Sequence, residues 1–424
     1  MKKHLIAGFL ALLLLVPFLP VQGETVDCTY FSDSSPDGGP LRLAFEESWF
    51  AQSAGEYQHA LCQLSLGMAL SAFRGAANHP DREILDFFAG LGFSSPEVIQ
   101  FDVAREDTIG TAMAWRYINC FESPVPLVVI AVSGGNYGDE WYSNFDLDDG
   151  AIHRGFLSAA RQVADRAREY LALQGLTDVP VRFWISGYSR AAAVSNLTAA
   201  LLAEESIGGA DDDRIFAYTF ATPRTVRGDL IGQHPNIFNI VSYDDLVPQM
   251  PPAVWGFGWY GRTLYLPSSA DKNHDYAALL PAHSQALFSL TGHTDLEGDR
   301  AIAGLAQAVA RGMASTIPSP AAYGSLHKSM LGKAVTGKSL NLAEGALGLL
   351  LLSNMVKSVN DWKSSMGNTP NSADVLEPAK SGLSILNELL YQHFPNYYAA
   401  WLLSLPDGQV LLQNSLTLTE APEI

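Results

Sequence analysis

The stretch from Val181 to Leu197, VRFWISGYSRAAAVSNL, decides the fold of this chain. It begins with an apolar run of strand length, passes through a tight turn and continues in small residues typical of a helix start. Gly187 leaves room for a sharp turn because it has no side chain. The pattern predicts a strand, a turn and a helix, with the hydroxyl of Ser189 presented between strand and helix.

A serine in this position is the arrangement of the nucleophile elbow in α/β-hydrolases, where a strained turn holds the hydroxyl clear of the sheet. The N-terminus of the following helix offers N–H groups and a positive dipole to an oxyanion. The usual glycine two residues after the serine is replaced by Ala191, which is the smallest substitute. An ordinary strand–helix turn fits the same short pattern, so the motif alone leaves both interpretations open.

Strand and helix patterns alternate around this stretch. An amphipathic helix is predicted at about Arg154–Leu173, with residues of one face at helical spacing. Apolar runs of strand length occur at Val125–Val132, Arg182–Ser186, Ile215–Ala221 and Ile237–Ser242. Such alternation predicts an α/β-hydrolase-like, mostly parallel sheet with helices on both faces. In these sheets the chemistry lies at the carboxyl ends of the strands.

The domain organisation follows from the flanking patterns. We expect a single domain over residues 41–424, beginning with helical spacing at 41–75. From about 296 to 392 the apolar spacing is helical and shows no strand pattern, which predicts a C-terminal helical insertion. Within it, Gly345–Val356 is nearly all apolar but too short to span a bilayer, so it indicates a buried helix or a lid.

The first 23 residues have a different character. Lys2 and Lys3 precede the apolar run Leu5–Leu19, and small residues follow at Val21–Gly23. This is the pattern of a secretory signal peptide. We therefore predict an exported protein cleaved after residue 23, with a flexible polar lead-in over residues 24–40.

The chain of 424 residues is acidic, with 44 Asp and Glu against 26 Lys and Arg and a formal net charge of −18. Nucleic-acid binding requires a basic surface and is not expected. The spacing of His and Cys suggests neither a metal nor a cofactor. The three cysteines are odd in number, so one pair could form a bridge. We predict no disulfide essential to the active site, and the oligomeric state is left open.

An acyl-transferring serine needs a base and an acid that orients the base. Asp244 and Asp245 directly follow the strand pattern ending at Ser242, although adjacent acids are also common in loops. Five histidines follow these acids: His274, His283, His293, His327 and His393. His283 and His293 are close to the acids in sequence. His393 precedes Pro395, which suits the first turn of a helix, so His393 is predicted in a loop.

These segments resemble the class 3 (fungal-type) lipase family of α/β-hydrolases, particularly its exported bacterial branch. WISGYSRAAAVSNL is similar to the family's W-I-T-G-H-S-R-G-A-A-V-A-N-L, and the matches continue in the family's order. VVIAVSGGNYGDEWYSNF followed by HRGF resembles the oxyanion strand, R-G-T, W-x-x-N and H-x-G-F. Tyr218–Pro223 resembles the strand after the elbow, Asp245–Pro248 resembles D-x-V-P, and QHFPNYYAAWL resembles H-x-P-x-x-Y-x-x-W-L.

The resemblance implies Ser189 as nucleophile, Asp245 rather than Asp244 as the acid, and His393 as the base. Tyr398 is expected to pack beneath the histidine loop. The implied activity is hydrolysis of acylglycerols or related lipid esters through an acyl-enzyme, with a lipid or other ester as substrate. His283 is the next candidate for the base.

The resemblance also implies an oxyanion hole formed by the backbone N–H groups of Gly135 and Arg190. Two departures from the family pattern bear on activity. Ser133–Gly135 replaces R-G-T, so a hydroxyl that supports the oxyanion is absent, and Tyr188 replaces the histidine before the nucleophile. A catalytically silent scaffold that binds an apolar ligand or a partner is therefore the alternative function, and a peptidase is a weaker third one.

Overall fold

The computed structural model describes residues 24–32, 35–73, 81–101, 109–134, 143–144, 146–268, 276–292, 305–317, 319–325, 392–405 and 413–414. Within these ranges the strands are β1 (Glu24–Ser32), β2 (Ser35–Phe45), β3 (Ser94–Ile99), β4 (Thr111–Ile118), β5 (Val125–Val132), β6 (Arg182–Tyr188), β7 (Ile215–Phe220), β8 (Val226–Arg227), β9 (Ile237–Val241), β10 (Phe257–Gly258), β11 (Arg262–Tyr265) and β12 (Gln413–Asn414). The α-helices are α1 (His59–Ser71), α2 (Arg82–Gly90), α3 (Arg154–Leu173), α4 (Arg190–Glu204), α5 (Tyr276–Thr291), α6 (Leu305–Thr316) and α7 (Pro395–Ser404).

The central sheet has eight strands in the order β12-β11-β9-β7-β6-β5-β4-β3. The five strands from β5 to β11 in this order run parallel, while β3, β4 and β12 pair antiparallel at the two edges. The four predicted strands are therefore present, and the mostly parallel α/β fold is confirmed. The antiparallel pair β3 and β4 was not predicted from the sequence.

Strand β6 lies in the middle of the sheet and has a hydrophobic core on each side. Phe183 and Ile185 pack in the core that contains α3 and α4. Trp184 points the other way, into the core that contains α1, α2 and α7. Side chains of a strand alternate between faces, so helices on both faces bury every residue of this strand after Arg182. The strand that leads to Ser189 is consequently held on two sides.

The flexible lead-in predicted for residues 24–40 is wrong, because β1 and β2 pair there as an antiparallel hairpin. Val26 and Cys28 are buried while Thr25 and Asp27 are exposed, which is the alternation of a strand with one face on the core. Most of the polar stretch SDSSPDGGP, Ser35–Pro40, belongs to strand β2 itself. Residue types that usually mark turns therefore concealed the strand pattern.

The helical spacing predicted over residues 41–75 is also wrong for its first part. Leu41, Leu43 and Phe45 are buried and the residues between them are exposed, so this segment belongs to β2. A short 3₁₀ helix follows at Glu47–Ala51, and the α-helix is confined to α1. Helix α2 follows at Arg82–Gly90.

The predicted helical insertion at 296–392 lies largely outside the described residues. Its described part includes α6, in agreement with the prediction for that stretch. Residues 345–356 and the predicted leader, residues 1–23, lie outside the described residues. In the part of the chain that is described, no helix combines the length and the apolar character needed to cross a bilayer.

The hairpin makes a direct test possible, because neighbouring residues of β1 differ in burial. Val26 is 1% exposed, and its replacement by alanine removes buried methyl groups. We expect Val26→Ala to lower the free energy of unfolding by about 2 kcal/mol. The matched variant Thr25→Ala, on the exposed face, should change it by less than about 0.5 kcal/mol. Urea denaturation of both variants measures the difference, and equal small effects would indicate a flexible segment.

Candidate active site

Ser189 occupies the sharp turn between the end of β6 and the start of α4. Its backbone has φ 59° and ψ −128°, a region that residues other than glycine rarely adopt. The backbone N–H of Ser189 donates to the carbonyl of Phe220 on the neighbouring strand at 2.9 Å. The strained turn is thus fixed to the sheet, as a nucleophile elbow requires.

Gly187 permits the turn because no side chain would fit at this position. A Cβ atom there would lie 2.5 Å from the carbonyl oxygen of Ala191 and 2.7 Å from Oγ of Ser195. Helix α4 therefore packs directly against the end of β6. Ala191, which stands where the family motif has its second glycine, is itself fully buried, so the fold accommodates its methyl group.

Three side chains form a continuous hydrogen-bonded chain at the carboxyl edge of the sheet. Nε2 of His393 lies 2.8 Å from Oγ of Ser189, and Nδ1 of His393 lies 2.8 Å from Oδ2 of Asp245. Asp245 is completely buried and His393 is 6% exposed. With the proton on Nδ1, His393 donates to Asp245 and accepts from the serine hydroxyl. This geometry can transfer the serine proton to the imidazole.

Asp245 lies in the loop after β9 and is held by two further donors. The backbone N–H of Val247 donates to Oδ1 at 2.9 Å, and the hydroxyl of Tyr398 on α7 donates to Oδ2 at 2.8 Å. Burial, followed by the nearby Asp245 carboxylate, raises the pKa of Tyr398 well above its usual value, so the phenol keeps its proton. Asp244 instead accepts from the hydroxyl of Ser268 at 2.8 Å.

Two tyrosine hydroxyls at this site were not predicted from the sequence. Tyr398 was expected only to pack beneath the histidine loop, and Tyr188 was noted only as a departure from the family pattern. The hydroxyl of Tyr188 donates to the backbone carbonyl of His393 at 2.9 Å. Both partners are more than a hundred residues away along the chain. Both tyrosines lie within the motifs quoted above, but the groups that accept their hydrogen bonds could not be predicted from the sequence.

Of the two residues predicted to form the oxyanion hole, the structure describes only Arg190. Gly135 lies outside the described residues. The preceding residue, Gly134, lies so close to the elbow that a Cβ atom on it would be 2.9 Å from the carbonyl of Tyr188. Arg190 is the first residue of α4, and its guanidinium donates to Oγ of Ser143 at 3.1 and 2.9 Å. Its backbone N–H belongs to the first turn of the helix, where N–H groups point out of the N-terminus.

Four other histidines were considered for the base. Three of them lie outside the described residues: His274, His293 and His327. His283 lies on α5, fully buried, with its ring stacked on Trp401 at a centroid distance of 4.2 Å. Burial lowers the pKa of His283 to about 4, which keeps the imidazole neutral. Its position is that of a residue of the hydrophobic core.

The cysteines are all free thiols. Cys28 and Cys62 are buried, and burial raises the pKa of each thiol to about 12, which makes thiolate formation unfavourable. Cys120 is half-buried. A search of the described ranges finds no group of three His, Cys, Asp or Glu side chains that could hold a metal ion.

Residues 133–255 match the family model described as lipase (class 3), which agrees with the family resemblance of the motifs. The matched segment includes Ser189 and Asp245 and ends before His393. The narrower assignment to an exported bacterial branch stays a prediction.

Individual relatives match part of the chain. Secreted mono- and diacylglycerol lipase 1 of Fusarium solani is 25% identical over 210 residues, which are 47% of this chain and 57% of that protein. The solved mono- and diacylglycerol lipase from Aspergillus oryzae is 20% identical, covering 50% of this chain and 82% of that one, with a TM-score of 0.36. For the Rhizomucor miehei lipase propeptide complex the identity is 17%, the coverage 49% and 67%, and the TM-score 0.35.

The burial of His283 predicts a pH dependence of stability. Its pKa is about 4 in the folded protein and about 6.5 when unfolded. The unfolded state therefore binds more protons between these values, so the free energy of unfolding falls as pH falls from 6.5 to 4. In His283→Gln this slope should be shallower, by up to about 1.4 kcal/mol per pH unit.

Chemical denaturation of wild type and His283→Gln across this pH range measures the two slopes. Identical slopes would contradict a buried neutral imidazole. The same variant should keep its reactivity toward a serine-directed reagent at pH 7, since His283 has no contact with Ser189. Loss of that reactivity in folded protein would instead favour His283 as the base.

Proposed function

We propose that this chain is a serine carboxylic-ester hydrolase, lipase-like, that cleaves acylglycerols or related lipid esters through an acyl-enzyme. The observation that carries the proposal is the hydrogen-bonded chain from Ser189 through His393 to Asp245. Its nucleophile stands on a strained strand–helix turn, with backbone φ 59°. The match of residues 133–255 to the lipase (class 3) family model supports the same reaction class.

In the proposed reaction, Oγ of Ser189 attacks the ester carbonyl while Nε2 of His393 takes its proton. The Asp245 carboxylate, 2.8 Å from Nδ1, stabilises the imidazolium that forms. The tetrahedral intermediate collapses when His393 returns the proton to the leaving alcohol, which leaves the acyl group on Ser189. His393 then takes a proton from water, which attacks the acyl-enzyme. Return of this proton from His393 to Oγ of Ser189 releases the fatty acid and restores the serine hydroxyl.

The negative charge of the tetrahedral intermediate needs donors that are already in place. We propose the backbone N–H of Arg190 as one of them, because it lies at the N-terminus of α4 directly after the nucleophile. The backbone N–H of Gly135 is proposed as the second. The chain carries Gly135 where the family pattern has a threonine, so the supporting hydroxyl is missing. Since one oxyanion donor contributes about 3 kcal/mol, we expect slower turnover than in a complete site.

The proposed substrate class comes from the Fusarium solani relative, which is named as a mono- and diacylglycerol lipase. The similarity covers 57% of the length of that relative. We propose that the Ser189 site hydrolyses the same class of esters. Monoacylglycerols carry one acyl chain and two free hydroxyls, and diacylglycerols carry two acyl chains and one free hydroxyl. Long-chain monoacylglycerol and diacylglycerol emulsions are therefore the first substrates to test, beside 4-nitrophenyl esters of graded acyl length.

The catalytic proposal predicts covalent labelling at one residue. A fluorophosphonate probe should label wild type, and Ser189→Ala should abolish labelling and lower kcat by at least about 10⁴-fold. The exposed Ser158 provides a matched control on the surface of α3, and Ser158→Ala should be labelled like wild type. Mass spectrometry of the labelled peptide locates the modified residue.

Labelling of folded Ser189→Ala would contradict Ser189 as the nucleophile. Folded wild-type protein that is not labelled and hydrolyses no ester would favour the silent scaffold. Activity on peptide bonds without activity on esters would favour the peptidase. Circular dichroism of each variant establishes that it is folded.

We further propose that the protein is exported. The proposal rests on the leader pattern of residues 1–23 and on the secreted relative. Protein recovered outside the producing cells should begin at or next to Glu24 in N-terminal sequencing. Replacement of three leucines of the Leu5–Leu19 run by arginine should retain the chain inside the cells, because a signal peptide needs an apolar centre. Protein that is still exported with this leader, or that begins at Met1, would contradict the proposal.

A further inference from the structure

Tyr188 connects the nucleophile strand with the segment that carries the histidine. It is the last residue of β6, immediately before Ser189, and it is fully buried. Its hydroxyl donates to the backbone carbonyl of His393 at 2.9 Å. Its ring packs edge-on against Phe73 and Tyr398, with centroid distances of 5.4 and 5.5 Å. The direction of the phenol is therefore set by packing as well as by the hydrogen bond.

The carbonyl of His393 needs a donor from outside its own helix. Phe394 is the N-cap of α7, and its carbonyl accepts from the N–H of Tyr397 at 3.0 Å. His393 precedes the cap, so its carbonyl lies outside the hydrogen-bond pattern of the helix, and Pro395 has no N–H to offer. A buried backbone carbonyl without a donor costs free energy. Tyr188 supplies that donor.

We propose that Tyr188 is a positioning residue, which holds the main chain of His393 so that the imidazole stays aligned with Ser189 and Asp245. The inference rests on the proposed function, since it concerns the base of that reaction. Three hydrogen bonds hold His393: its carbonyl accepts from Tyr188, Nε2 bonds with Ser189 and Nδ1 bonds with Asp245. Two of these three partners are consecutive residues of the elbow.

The three contacts differ in what happens to them during turnover. The contact between Nε2 of His393 and Ser189 is given up when the serine becomes acylated. The contact with Asp245 persists but constrains only the ring. The bond from Tyr188 to the carbonyl takes part in no proton transfer, so it fixes the backbone of His393 through every step. It thereby keeps the imidazole in place for the attacking water.

The family pattern has histidine at this position, as in W-I-T-G-H-S. An imidazole is shorter than a phenol and ends nearer to its own backbone. It therefore cannot replace the 2.9 Å bond from Tyr188 to the His393 carbonyl unless the histidine segment shifts. Tyr188→His removes the hydroxyl and also changes the ring contacts with Phe73, His393 and Tyr398, so it should lower kcat at least as much as Tyr188→Phe.

The test compares two buried tyrosines that differ in location. Tyr188→Phe removes the hydroxyl that holds His393. Tyr170→Phe, on α3, removes a hydroxyl that donates to the backbone carbonyl of Ser95 at 2.8 Å, away from the triad. Both deletions leave a carbonyl without its phenol donor, but the bond from Tyr188 is buried and the bond from Tyr170 is only partly buried. Tyr188→Phe should therefore lower the melting temperature more than Tyr170→Phe. Only the first should affect catalysis.

We expect Tyr188→Phe to lower kcat on a soluble ester by about tenfold to 100-fold, because small misplacements of catalytic groups have effects of this size. KM should stay within about twofold, since substrate binding does not depend on the position of the base. The rate of fluorophosphonate labelling should fall by the same factor as kcat. Tyr170→Phe should keep both rates. Counting active sites by labelling to completion corrects kcat for unfolded protein in every sample.

A wild-type kcat per labelled site in Tyr188→Phe would overturn the inference, as would an equal loss in Tyr170→Phe. A rise in KM at unchanged kcat would also overturn it, because that result indicates a substrate contact. Failure of the proposed function has a different signature: wild type and Tyr170→Phe would then also lack labelling and ester hydrolysis. That outcome would remove the basis of both proposals.

Discussion

The strained backbone of Ser189 is the constraint on which the rest of the site depends. A positive φ at a residue with a side chain costs on the order of 1–3 kcal/mol and persists only where the surroundings enforce it. The surroundings here are β6, buried on both faces, and α4, which packs directly on it through Gly187. The sheet and the helix share the core that contains α3 and α4, and the turn between them has to adopt the conformation that joins them.

Asp245 and His393, which complete the hydrogen-bonded triad with Ser189, come to this turn from separate parts of the chain. Asp245 follows β9, two strands away from β6 in the sheet, and His393 precedes α7. Each is fixed through groups that are not themselves reactive: Asp245 by a backbone N–H and Tyr398, and His393 by Tyr188. The site is therefore a junction of the sheet edge with a helix, in which phenol hydroxyls connect elements that share no backbone pairing.

The local parts of this arrangement could be predicted from the sequence, because β6, the elbow and α4 are contiguous and their apolar spacing is strong. Hairpin β1–β2 could not, since polar turn residues dominate the composition of a segment whose buried positions alternate. The same limit applies to the site. The strand pattern singles out Ser189 and the adjacent pair Asp244 and Asp245, and the family resemblance points to Asp245 and His393. The acceptors of Tyr188 and Tyr398 depend on packing between distant segments, which spacing along the chain does not encode.

The order of the triad along the chain has a consequence for biosynthesis. The ribosome produces Ser189 first and Asp245 next, and His393 follows Asp245 by 148 residues. Every nascent chain that has not yet reached α7 therefore holds the hydroxyl and the carboxylate without the imidazole. In the proposed mechanism, competence for acyl transfer therefore requires this late helix to dock against the sheet.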